Sequence, residues 1–268
     1  MKKLFLTLAG VLVLASCVTN PVTGRKSLSL VKNEQLLPAS FAQYNKVLSE
    51  GKIVTGTAEA KMVQTIGDRL KYAANEYYKQ KGLSAQLNGY QWQFTLLQAN
   101  EVNAWCMPGG KVAVYTGILP VTKDATGLAV VVGHEIGHAL AGHSAEQASQ
   151  QMAAQGIGQI VGGAITNADY AATFEKLYPA GAQVGLLNYS RKMELDADIT
   201  GLYLMAMAGY DPSQAIPFWE RMSAKSGGAG NDNDFFSTHP SDATRIAKIR
   251  EALPTALAYY NASPYKGK

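Results

Sequence analysis

With 24 basic against 20 acidic side chains in 268 residues, and no basic run, the chain lacks the charge expected of a nucleic-acid binder. Two cysteines exclude a disulfide framework. A hydrophobic fraction of 47% at this length provides for one domain with a sizeable core.

The N-terminus reads as a targeting segment. Met1-Lys2-Lys3 is basic, and the apolar run Leu4–Ala15 is too short for a stable membrane-spanning helix. Leu14-Ala15-Ser16-Cys17 resembles a bacterial lipobox, which implies a signal peptide over residues 1–16, cleavage before Cys17 and lipidation of its thiol. Only Lys2 and Lys3 are charged in that segment, so 22 basic and 20 acidic residues leave a net charge of +2. Cys106 then stands alone. The residue after Cys17 is Val18 and not Asp, which resembles lipoproteins sent on to the outer membrane, with the domain on the periplasmic side. Val18–Ser29 is polar and turn-rich and reads as a tether, and Gln35–Leu48 reads as a first helix lying on the domain. Residues 17–56 are thus expected to form a lipidated tether with its helix, and residues 57–268 the functional domain.

Thr57 is placed as the N-cap of a helix whose Met62, Val63, Ile66, Leu70, Ala73 and Tyr77 recur at helical spacing, with Gly82 at its end. Tyr90–Leu96 alternates apolar and polar residues, the pattern of a half-buried strand. Asn103–Met107 is a second extended stretch. After Pro108-Gly109-Gly110, the run Lys111–Thr116 makes a third, in a hairpin-like arrangement. Asp124 precedes an apolar helix that ends near Gly142-His143. Residues 144–180 are rich in Ala, Gln and Gly, and Gly156, Gly158, Gly162 and Gly163 suit a close helix crossing or a mobile apolar hairpin. A long helix is expected from Gln183 to Ala208, stopped by Gly209. Asp211-Pro212 opens another, in which Pro217 should kink the helix or delay its regular start. Gly227–Asp234 is a polar, Gly-rich loop expected to be mobile, and a last helix carries Ala243, Ile246, Ile249 and Leu253 on one face.

The chemistry lies in Val130–Leu140, where H-E-x-x-H interrupts an apolar, helix-compatible run. On a helix His134 and His138 are one turn apart, so both imidazoles leave the same face and can share one cation. Zinc accepts neutral imidazole nitrogen, and Glu135 beside the pair can take a proton from water held by the cation. Catalytic zinc wants three protein ligands and an open position. Glu194 and Asp198 are four residues apart and share a helix face: Glu194 can be the third ligand, and Asp198 can accept the outward ring N–H of a ligating histidine. A solvated face paired with Arg191 and Lys192 is the alternative, against which Leu202, Leu204 and Met205 extend the helix into apolar surroundings. His143, five residues after His138, falls off the ligand face and is read as structural.

H-E-I-G-H at 134–138 followed by E-L-D-A-D at 194–198 resembles the HtpX and CAAX-prenyl-protease family of zinc metallopeptidases, and within it the periplasmic lipoproteins of the LoiP, YcaL and BepA kind. Asn103–Lys111 resembles that family's segment before the metal helix, and Ser237-Thr238-His239-Pro240 with Arg245 its C-terminal motif. The resemblance covers residues 20–255. It implies an α+β, mainly helical gluzincin fold, with a small mixed sheet packed on the H-E-x-x-H helix and a second metal-ligand helix. It also implies endopeptidase action, with one Zn2+ per chain, on extended or misfolded polypeptides of the cell envelope. A chaperone-like lipoprotein that keeps the zinc site but cleaves little is the competing reading. Asn103 and Ala104 lie where an extended edge would offer its backbone to a substrate strand. His239 and Arg245 are candidates to steady oxyanion charge, Arg245 being otherwise a solvated arginine. His239 is also a candidate fourth ligand that closes the site at rest.

Overall fold

The computed structural model describes residues 17–154, 166–178, 189–226, 235, 239 and 243–268, and it opens on a hairpin of β1 (Cys17–Thr19) and β2 (Lys26–Leu28). The stretch read as a tether is therefore folded. Asn20 builds its turn: Oδ1 accepts from the backbone N–H of Val22 and Thr23 at 2.8 and 3.2 Å, and its own N–H reaches the Arg25 carbonyl at 2.8 Å. Composition misleads here because Asn, Pro, Thr and Gly serve loose linkers and tight turns alike.

Helix α1 (Asn33–Glu50) buries Leu36, Leu37, Tyr44 and Val47. Helix α2 (Ala58–Gln80) starts where expected, with Thr57 Oγ1 accepting from the Ala60 N–H at 3.1 Å, and buries the expected stripe Val63, Ile66, Leu70, Ala73 and Tyr77. Strands β3 (Gln93–Leu97), β4 (Ala104–Met107) and β5 (Lys111–Tyr115) form a mixed sheet in the order β3-β5-β4, with β3 parallel and β4 antiparallel to β5. Gly109 and Gly110, at φ +84° and +81°, close the β4–β5 hairpin in a conformation costly for any side chain.

Both faces of this sheet are covered, so β3 is buried rather than half-buried. Phe94, Leu96, Cys106, Val112 and Val114 join the core built with α2. Leu97, Trp105, Met107, Ala113 and Tyr115 face Leu36 and Tyr44 of α1. Thr95, the polar position of the alternation, is buried because Tyr44 Oη lies 2.8 Å from its hydroxyl.

Helix α3 (Ala125–Leu140) is capped by Asp124, whose Oδ1 accepts from the Gly127 N–H at 2.8 Å, and packs on β4 and β5. Helices α4 (His143–Ala154) and α5 (Asn167–Leu177) follow, and Gly156–Gly163 lies outside the described residues. Helix α6 (Arg191–Met207) begins later than the sequence suggests. Ser190 is extended and caps it by accepting from the Met193 N–H at 3.4 Å, so Tyr189 stands before the helix; residues 183–188 lie outside the described residues. A 3-10 turn over Pro212–Gln214 leads into α7 (Ala215–Ser226), where Pro217 occupies the first turn. A proline there lacks an N–H the helix does not need, so it delays the start without a kink. In α8 (Ala243–Ala262), Ala243 is exposed and Arg245, Ile249 and Ala256 are buried. The inward face is rotated by Arg245, which a carboxylate of α6 draws into the core.

Helices α3 and α6 meet backbone to backbone. A Cβ on Gly201 of α6 would stand 2.7 Å from the Gly133 carbonyl carbon and the His134 nitrogen, and one on Gly137 would stand 2.7 Å from the Ala197 carbonyl oxygen. This crossing sets the acidic face of α6 against the histidine face of α3.

Candidate metal centre

His134 and His138 sit one turn apart near the end of α3, their Nε2 atoms 3.0 Å from each other. Glu194, in the first turn of α6, places Oε1 3.4 Å from His138 Nε2 and Oε2 3.5 Å from His134 Nε2. His239 joins the group from a distant part of the chain. Its N–H reaches the Phe235 carbonyl at 3.0 Å, while the Phe235 N–H donates to the Val102 carbonyl at 2.8 Å, tying Phe235 and His239 to the approach of β4. His239 Nδ1 then lies 3.2 Å from His134 Nε2 and 3.0 Å from Glu194 Oε1. Ligand-capable atoms of His134, His138, Glu194 and His239 all fall within 4.8 Å of one another, and all four residues are buried.

This donor set fits a divalent cation. Imidazole nitrogens converge on one point with too little room for a proton on each, and a carboxylate joins them, a combination that suits zinc. Glu135 is buried beside the group, and its Oε1 has no hydrogen-bond partner among the described residues, with His239 Nε2 3.4 Å away. A buried carboxylate oxygen without a donor is costly, and water at the centre would supply one.

Asp198 accepts from His134 Nδ1 at 3.0 Å, so His134 turns its other nitrogen to the donor group. Arg245 is not a solvated arginine, which corrects that sequence reading. It is buried, with Nε and Nη2 each 2.7 Å from an oxygen of Asp198, Nη1 3.2 Å from the His239 carbonyl and 2.9 Å from Glu194 Oε2, and its guanidinium 4.4 Å over the Trp219 ring. It positions Asp198, Glu194 and the His239 backbone together.

The electrostatics follow from burial opposed by these pairs. Burial depresses His134, but Asp198 and Glu194 outweigh it and hold the metal-free ring up at about 9. Burial, with the neighbouring His134 and His143, drives His138 well below its ordinary value against the pull of Glu194. Burial would raise Glu194 and Asp198, yet neighbouring His239 and hydrogen bonds from the imidazoles lower Glu194, and Arg245 lowers Asp198. Glu135 is raised chiefly by its burial, which nearby His239, His134 and Arg245 oppose only in part.

Asn103 and Ala104 stand buried at the head of β4, which the strand order puts at a sheet edge and which packs against α3. The Ala104 N–H is taken by Asn103 Oδ1 at 2.8 Å, so that donor is not on offer in this state. Cys17 is exposed at the start of β1. Two residues near the centre were given no part in it by the sequence reading, His143 being read there as structural. Tyr189 stacks on His138 with ring centroids 3.9 Å apart, and His143 lies with Nδ1 2.8 Å from His138 Nδ1. The signal for His143 was Gly142: a glycine just past a helix turns the chain, so helical spacing stops predicting direction.

The sequence profile of peptidase family M48 matches residues 67–253. Over 170 residues the chain is 41% identical to the mitochondrial metalloendopeptidase OMA1 of Schizosaccharomyces pombe, covering 63% of this chain and 49% of that protein. It is 31% identical to the human metalloendopeptidase OMA1 over 245 residues, covering 89% of this chain and 46% of the relative. It is 24% identical to the metalloprotease LoiP of Escherichia coli over 254 residues, covering 90% and 96% of the two chains. The chain thus spans about half the length of these two mitochondrial relatives.

Proposed function

The chain belongs to peptidase family M48, and from that premise we propose that it is a zinc-dependent endopeptidase that cleaves extended or misfolded polypeptides of the cell envelope. One observation carries the reading: a three-ligand donor set, His134, His138 and Glu194, stands beside a buried carboxylate, Glu135, with an oxygen left for water. Bound zinc would polarise a peptide carbonyl and lower the pKa of water toward about 7. Glu135 takes the proton at Oε1 and passes it to the departing amide nitrogen. Its burial raises its affinity for that proton, which suits a base working near neutral pH. Asp198 holds the His134 tautomer, and Arg245 holds Asp198. An extended peptide would lie along β4, with Asn103 and Ala104 as its first contacts. Purified protein should lose casein hydrolysis on treatment with a chelator and regain it with one equivalent of Zn2+. Undiminished cleavage after metal removal would overturn the reading.

His239 supplies a resting state. With Nδ1 inside the donor group it serves as a fourth ligand, and a site so closed has no position left for substrate. His239→Ala should therefore raise casein cleavage several-fold. A loss of rate would assign His239 to the oxyanion instead.

The placement in the cell rests on the lipobox. Residues 1–16 act as the signal peptide, lipidated Cys17 anchors the chain to the periplasmic face of the outer membrane, and residues 57–268 form the catalytic domain, with residues 17–56 laid on it. Among the described residues no helix is long and apolar enough to cross a membrane. The lipid on Cys17 would provide the hold. Fractionation should find Cys17→Ser released from membranes or unprocessed, and unchanged membrane association would remove the anchor.

A further inference from the structure

We propose that the N-terminal hairpin is a working part of the metal centre, with Arg25 positioning His138 through Asp196 and His143. The inference rests on His138 being a ligand. His138 turns Nε2 to the donor group, 3.0 Å from His134 Nε2, and its other nitrogen, Nδ1, lies 2.8 Å from His143 Nδ1. Between those two nitrogens there is room for one proton. On His138 Nδ1, it leaves the Nε2 lone pair for a cation. On His143 Nδ1, it forces a neutral His138 to carry its own proton on Nε2, where it blocks ligation.

The far side of His143 selects between these states. His143 Nε2 lies 3.4 Å from Asp196 Oδ2, and an ionised carboxylate only accepts. A proton on His143 Nε2 satisfies it and leaves Nδ1 as the acceptor that His138 needs. Asp196 is in turn held from the hairpin. The Thr23 hydroxyl donates to Oδ1 at 2.5 Å, and Arg25 Nε donates to Oδ2. The Arg25 fork closes on both oxygens of Glu146 at 2.9 and 2.6 Å, fixing the guanidinium from α4. His143 and Asp196 are buried, whereas the Arg25 side chain is 19% exposed and covers them from outside. The Asn20 turn presents Thr23 and Arg25 together, and no other function for that turn is needed.

The test is a double-mutant cycle on the full chain loaded with Zn2+, read as the rate of zinc transfer to a chelating dye, with the absorption bands of the Co2+ form as a second readout. Arg25→Gln should speed zinc loss roughly tenfold and shift the cobalt bands. In the His143→Asn background the side-chain amide can turn its carbonyl to His138 Nδ1 without help from Asp196. There Arg25→Gln should change the rate by less than about twofold. A purely structural role for Arg25 would give the same rate ratio in both backgrounds, and that result overturns the proposal. So does an unchanged rate and spectrum in Arg25→Gln. If Arg25→Gln fails to fold, Thr23→Val removes one donor to Asp196 at constant shape and should still speed zinc loss in the His143 chain alone. Failure of the unaltered chain to bind Zn2+ or Co2+ would overturn the metal-centre reading itself. Normal binding with equal ratios overturns only this inference.

Discussion

Glu135→Gln is expected to load zinc to the level of the unaltered chain and to cleave casein about 10³-fold more slowly. The two halves of that result separate the roles in the centre. Glu135 lies on α3 between the two histidines but contributes no atom to the cluster of His134, His138, Glu194 and His239, so its amide leaves the donors in place. What the amide cannot do is accept a proton and hand it on. Glu194→Ala should behave oppositely and lose the metal, because it removes the carboxylate that faces both His134 Nε2 and His138 Nε2. Metal analysis alongside the cleavage assay checks both variants. Full zinc in Glu194→Ala would assign the third ligand elsewhere, and substantial cleavage by Glu135→Gln would assign the base elsewhere.

Gly201→Ala is the second large expectation, and its sign is informative. In an open helix, replacing glycine by alanine stabilises by about 1 kcal/mol. Here the new methyl would stand 2.7 Å from the Gly133 carbonyl carbon and the His134 nitrogen, both backbone atoms of α3 that cannot turn aside. The helices must separate, at a cost of about 1–3 kcal/mol. Separation also carries Glu194 away from the histidines, and a displacement approaching 1 Å costs about 10²-fold in rate. Urea unfolding of the metal-free protein should therefore show a loss of stability, and the cleavage assay a larger proportional loss of rate. A gain in stability would mean that the crossing is looser than 2.7 Å implies.

Much of the centre was legible because its parts are local. The helical repeat puts His134 and His138 on one face, and Glu194 and Asp198 on another, whatever the rest of the chain does. Caps are local too, so Thr57 and Asp124 mark their helix starts correctly. The strands were legible as extended stretches, but Thr95 shows the limit of that reading. Its place in an alternating pattern implied solvent, and a hydroxyl from α1 made burial acceptable instead. The hairpin over residues 17–28 was missed for a related reason, since turn-forming composition does not say what a turn will touch.

The sequence by itself determined that a helix carries two histidines and a glutamate fit for zinc, and that an acidic helix could complete them. The H-E-x-x-H spacing makes this a property of a few consecutive turns. Only the tertiary structure decided which distant residues serve that centre. Arg245 stands 47 positions from Asp198, His239 105 from His134, and Arg25 171 from Asp196, and each pair is in contact. Periodicity fixes which side chains share a face within one element, but says nothing of which faces meet. That is set by packing, here by glycines that let α3 and α6 touch and by a buried arginine whose charge is tolerable only beside the carboxylates of α6.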